Sequence, residues 1–122
     1  MRTVVAICGL IGTAALPVAG PEPLTIAVWP AFAIAPATVT VRSRIEPNAD
    51  NRSLVIVADG PELYRSSEIQ LDGARAPKTF ELSFHEMPGG EYEVYVILID
   101  SAGRRRATAH RAAKVISQSD GQ

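Results

Sequence analysis

The segment EYEVYVILID, Glu91 to Asp100, constrains the fold more than any other part of this chain. Tyr92, Val94, Val96 and Leu98 recur at every second position, the period at which side chains of an extended strand leave on one side. Tyr95, Ile97 and Ile99 fill the opposite side with large apolar groups as well. One such face can be buried on a core. The other is the best clue to a partner.

The rest of the chain after Pro36 reads as further strands. ATVTVRSRIEP places Val39, Val41 and Ile45 on one face and Thr38, Thr40, Arg42 and Arg44 on the other, and Pro47 ends it. PNADN is a turn, because Asn and Asp tolerate left-handed backbone. RSLVIVADG is β-branched and aliphatic on both faces, as in a central strand, and LYRSSEIQL resumes a weaker alternation. KTFELSF turns Phe80, Leu82 and Phe84 inward. After HEMPGG and the long strand, SAG supplies a hairpin loop in which Gly103 can take positive φ. RRRATAHRAAKVI returns, and SQSDGQ, residues 117–122, is a polar tail. Six short strands punctuated by turns, with no helical period and no internal repeat, predict an all-β fold: an antiparallel Greek-key sandwich of six to seven strands over residues 37–116.

Residues 1–33 read differently. Arg2 is followed by an uncharged apolar run, Val4 to Gly20, as in a secretory signal. Ala31 to Ala33 offers the small-x-small pattern of a cleavage site, so the expected cut follows Ala33. The alternative is an uncleaved anchor, and the run's 17 residues are at the short end of what spans a bilayer. The chain is therefore expected to be exported, periplasmic or extracellular, with membrane attachment only through an uncleaved N-terminal segment.

Composition narrows the functional classes. With 13 acidic and 12 basic residues in 122, the chain lacks the positive field that nucleic-acid binding needs. Its single cysteine, Cys8, lies in the apolar leader, so no intrachain disulfide and no cysteine metal cluster can form, and stability must come from packing.

MPGGEYEVYV resembles the turn and penultimate strand of immunoglobulin-like and fibronectin type III-like domains. In those domains a tyrosine stands four residues after the proline of a corner, as Tyr92 stands after Pro88. The resemblance implies that the Tyr92 hydroxyl caps main chain near Pro88, a structural role. It extends in strand spacing from Ala37 to Ile116. The inter-sheet cysteine pair of antibody domains is missing, and the sole tryptophan, Trp29, precedes the first of these strands. The chain looks more like the cysteine-free sandwiches of bacterial extracellular proteins, whose roles are binding, spacing or assembly.

Candidate chemistry is sparse. A hairpin register pairing residues whose numbers sum to 203 sets Glu93 opposite His110 and Tyr95 opposite Thr108, a cross-strand contact rather than a catalytic dyad. His85, Glu86 and Asp72 are the conceivable metal ligands, and they lack zinc or calcium spacing. Asn51 opens NRS, a glycosylation triplet by pattern. Arg104 to Arg106 is the sharpest charge feature. Its readings are a small anionic docking site or a hairpin tip whose arginines discourage edge pairing.

The expectation is thus an exported protein without enzymatic activity or cofactor, binding a protein partner or itself through Tyr95, Ile97, Ile99, Arg104 and Arg106 on the outer face of its last hairpin. The alternative is a carbohydrate-binding module of the cell envelope, stacking sugars on Tyr64, Tyr95 or Trp29.

Overall fold

Alternation of buried and outward side chains is visible along nearly every strand of the computed structural model, which describes residues 22–117. Eight strands form: β1 (Leu24–Trp29), β2 (Phe32–Ile34), β3 (Ala37–Ile45), β4 (Asn51–Asp59), β5 (Tyr64–Gln70), β6 (Thr79–Met87), β7 (Gly90–Asp100) and β8 (Arg105–Ile116), with one 3-10 turn at Gly73–Arg75. They make a three-stranded sheet, β1-β3-β6, and a five-stranded sheet, β2-β8-β7-β4-β5. All pairings are antiparallel except that of β2 with β8. The chain crosses between sheets after β1, β2, β3, β5 and β6, giving the Greek-key sandwich expected from the strand spacing.

Inward residues from both layers meet in one core. Val39 and Val41 of β3, Leu54 and Ile56 of β4 and Val94, Val96 and Leu98 of β7 are completely buried. Excluding that surface from water is the main favourable term for a chain without disulfides. Ser43 interrupts the row on β3, and its hydroxyl is buried with no hydrogen-bond partner.

Two features differ from the sequence reading. The sandwich starts at Leu24, not at residue 37. LTIAVW pairs along β3 from Leu24 opposite Ile45 to Trp29 opposite Thr40, and Leu24 and Ile26 enter the core. FAI then moves to the other sheet and runs beside Lys114 to Ile116. These eleven residues, 24–34, account for the two strands beyond the expected six. Their alternation was masked because they directly follow an apolar run. The earlier part of the apolar leader lies outside the described residues, as does the tail beyond Ser117.

The second difference is the register of the last hairpin. Tyr95 stands opposite His110 and Ile97 opposite Thr108, two residues from the expected pairing. The Asp100 carboxylate accepts the amides of Ala102 and Arg104, both at 2.9 Å, which widens the loop to four residues with Gly103 at φ +81°. An irregularity then sets Ile99 opposite Arg105 but Leu98 opposite Ala107. An even slip keeps every side chain on its own face, so the inward and outward sets are unchanged.

At the other end of β7, the Tyr92 hydroxyl donates to the Pro88 carbonyl at 2.6 Å, and its ring is buried against Gly60. A β-carbon at Gly60 would come within 2.8 Å of that ring. Burial is the main reason the Tyr92 hydroxyl holds its proton to higher pH than a free tyrosine, with Glu62 adding to it.

Two expectations follow. Because the folded chain keeps Tyr92 protonated where the unfolded chain ionises it, its contribution is complete below about pH 10 and declines as pH rises further. Tyr92→Phe should cost about 1 to 2 kcal/mol at pH 7 and flatten part of the alkaline loss seen in urea denaturation; an unchanged pH slope would refute the assignment. A chain starting at Ile34 forfeits the burial of Leu24 and Ile26, about 3 to 6 kcal/mol of a total near 5 to 15. It should show no cooperative unfolding transition, whereas one starting at Glu22 should melt cooperatively.

Candidate functional site

The site is built on the outer face of the five-stranded sheet, and β7 is its axis. Since Tyr92, Val94, Val96 and Leu98 point into the core, Glu93, Tyr95, Ile97 and Ile99 point out. Tyr95 lies between Val57 of β4 and His110 of β8, Ile97 between Val55 and Thr108, and Ile99 between Ser53 and Arg105. Val55 and Val57 thus widen the apolar face to two strands. Neither was assigned to it from sequence, although a strand apolar on both sides was the signal for them.

This face is shielded in part by its own neighbours. Val57 is only 2% exposed, and Tyr95, Ile97 and Ile99 are half-buried. The His110 ring lies over Tyr95 with centroids 5.7 Å apart. Burial raises the pKa of the Tyr95 hydroxyl, and the neighbouring Tyr64 raises it further. Tyr64 itself is 60% exposed at the corner of the face. The polar rim consists of Ser66 and Glu68 on β5, Asp59 and Glu93 at one end, and Thr108 and Arg105 along β8.

A second group of apolar residues lies at the β2 edge of the same sheet. Phe32 and Ile34 are 66% and 64% exposed, and Ile34 pairs with the exposed Ile116. A shallow groove separates Phe32 from two cross-strand contacts, the ion pair of Glu91 with Lys114 at 3.6 Å and the hydrogen bond between Glu93 and His110 Nδ1 at 2.8 Å. The second is diagonal, since Glu93 stands directly opposite Ala112. All four side chains are at least half exposed. Such pairs orient side chains and contribute little to stability.

The other residues singled out from sequence fall in several places. Arg104 is an exposed loop residue. Arg106 does not flank the apolar face as expected: it is half-buried at the irregularity, and its Nη1 donates to Asn51 Oδ1 at 3.2 Å. Arg105 takes the place beside Ile99, because the widened loop shifts the strand. Asn51 is fully buried, its amide nitrogen donating to the Glu46 carbonyl, so it stands as a structural anchor rather than a glycan acceptor. Asn48 forms the turn before it, its Oδ1 accepting the Asp50 amide. Asp50 accepts a hydrogen bond from the Ser101 hydroxyl, which holds its carboxyl below the usual range. His85 contacts the Thr38 hydroxyl, and its carbonyl accepts from Arg65, which spans the open side between β5 and β6. Among the described residues no group of three or more His, Cys, Asp or Glu is placed to hold a metal ion. Of the aromatics considered for sugar stacking, Tyr64 and Tyr95 are neighbours, but Trp29 is on the other sheet with Arg42 over its ring at 5.3 Å.

Arg106→Ala should therefore destabilise the chain by about 1 to 2 kcal/mol in chemical denaturation, because the buried Asn51 amide loses its donor. Arg104→Ala should stay within about 0.5 kcal/mol. Equal effects would show that the bond to Asn51 contributes nothing.

No family model matches the chain, and no curated protein matches it. Solved structures do share its architecture. Superoxide reductase (neelaredoxin) from Ignicoccus hospitalis superimposes with a TM-score of 0.55 at 11% identity, over 80% of this chain and 81% of that one. The soluble domain of PmoD from Methylocystis sp. ATCC 49242 (Rockwell) gives 0.51 at 16% identity, over 80% and 94%. A family 76 glycoside hydrolase from a bovine Bacteroides thetaiotaomicron strain gives 0.55 at 13% identity, over 79% of this chain but 21% of that one. At these identities the likeness is one of fold. It corrects the expectation of a chain without enzymatic activity: superoxide reductase is an enzyme on this architecture, and a sandwich can carry chemistry on its faces and loops. The chain is an all-β sandwich of a kind found among other small β-domains.

Proposed function

We propose that this chain is an exported interaction domain of the immunoglobulin-like class, which docks another protein on the outer face of its five-stranded sheet. The observation that carries this reading is the contiguous block Val55, Val57, Tyr95, Ile97 and Ile99, half-covered by its neighbours and enclosed by a polar rim. An apolar centre with a charged border is the composition of a protein interface, and a tyrosine beside a histidine supplies rigid contact area. Phe32, Ile34 and Ile116 extend the same surface toward the β2 edge. Kinship with the immunoglobulin-like class is supported by the Tyr92 corner, by the three-plus-five strand order, and by the early strand that moves between sheets.

A photo-crosslinking residue at Thr108, exposed beside Ile97, should yield a defined protein adduct in cells making the full chain. The same residue at Thr25, on the outer face of the other sheet, should yield none. Tyr95→Ser should remove the adduct while keeping a cooperative melt. Equal labelling from both positions, or an adduct indifferent to Tyr95→Ser, would overturn the proposal. A dimer of this chain would identify the partner as a second copy.

A further inference from the structure

The two ends of the sandwich differ in charge, and the described chain begins at the basic one. At that end stand Arg44, Arg52, Lys78 and the run Arg104 to Arg106, against Glu22, Glu46, Asp50 and Asp100; Arg75 and Asp72 pair with each other there. At the far end Asp59, Glu62, Glu86, Glu91 and Glu93 face only Arg65, Arg111 and Lys114. With Glu68 and the Arg42–Glu81 pair, which lie along the sheets between the ends, set aside, one end carries a surplus of two positive charges and the other a surplus of two negative ones. Arg52, Lys78, Arg104 and Arg105 are exposed and form no ion pair with a described residue.

The hairpin that presents the arginines is fixed. Asp100 holds the Ala102 and Arg104 amides, the Gly103 amide donates to the Asp100 carbonyl, and Arg106 is bonded to the buried Asn51.

The chain enters at the same end. The Pro23 carbonyl accepts the Glu46 amide at 3.0 Å, and Leu24 pairs with Ile45. Upstream, Val4 to Gly20 contains no charged residue, and only Pro21, Glu22 and Pro23 separate it from β1. Three residues reach at most about 10 Å. That is close to the Debye length at physiological ionic strength, and it is counted from Leu24, at the same end of the sandwich as the arginines.

We infer that the basic end is a docking surface for an anionic phospholipid bilayer in which the Val4 to Gly20 run is inserted. Anionic headgroups attract basic side chains held next to a membrane-inserted segment. The acidic end, repelled by the same surface, is directed away. The strands then stand roughly along the bilayer normal, and the face around Tyr95 opens sideways, clear of the lipid. The inference is independent of the partner proposed for that face.

The test uses the full chain with Cys8→Ser and a fluorescent label at Ala102→Cys in the hairpin loop or at Glu62→Cys at the far end. Each is reconstituted into vesicles of phosphatidylcholine alone, or with about a third phosphatidylglycerol. Quenching by acrylamide, which is neutral, reports exposure. The Ala102 label should be quenched about twofold less in anionic than in neutral vesicles. The difference should vanish in about 0.5 M salt or with Arg104→Ser and Arg105→Ser together. The Glu62 label should be quenched alike throughout. Equal quenching of the Ala102 label in both vesicles, shielding of both labels alike, or failure of the chain to partition with vesicles would each overturn the inference.

Discussion

The Tyr92 side chain is the constraint on which the rest of the sandwich depends. Its ring fills the space between the β4–β5 turn at Gly60 and the β6–β7 corner, and its hydroxyl closes on the Pro88 carbonyl. Both turns are thereby tied to β7, whose next inward residues, Val94, Val96 and Leu98, are the centre of the core. A buried phenol needs a partner for its hydroxyl and close-packed neighbours for its ring, and here the same residue obtains both from different loops. The absence of a side chain at Gly60 is part of that arrangement, because the ring occupies the space a methyl would need.

With β7 held between β4 and β8, the outer face follows. A strand with paired neighbours on both edges and a core beneath leaves only one surface to solvent, and on β7 that surface carries Tyr95, Ile97 and Ile99 after Glu91 and Glu93. Val57 beside Tyr95 is nearly inaccessible although it lies outside the core cluster, so the outer face forms a thin second apolar layer. Such a layer is stable when half-covered by its own sheet and more stable when covered completely. The basic hairpin and the acidic far end lie at either side of it, along the strand direction rather than across the face. The three surfaces, apolar, basic and acidic, can therefore be engaged without competing.

Much of this was legible in the chain. The inward sets of β3, β6 and β7 are written in two-residue alternation, and the Pro88 to Tyr92 spacing pointed to the corner. The candidate face was legible only for β7. Val55 and Val57 join it because β4 is the neighbour of β7, and strand order is a property of the whole topology. The role of Arg106 was hidden for a similar reason: its partner Asn51 is distant in sequence and meets it only when the β3–β4 loop and the last hairpin share one end of the sandwich. Residues 24–34 were hidden by context, since an apolar strand after an apolar leader has no visible boundary.

The sequence by itself determined the class of fold, the face on which each residue of the long strand lies and the excess of apolar groups on its outer side. These depend only on the pleat of an extended chain, in which neighbours alternate, and on the cost of leaving large apolar groups in water. Tertiary structure decided the pairing register, the entry of Leu24 and Ile26 into the core, the substitution of Arg105 for its neighbours beside Ile99 and the gathering of opposite charges at opposite ends. Each of those rests on contacts between distant segments, and a one-dimensional pattern carries no record of which segments will meet.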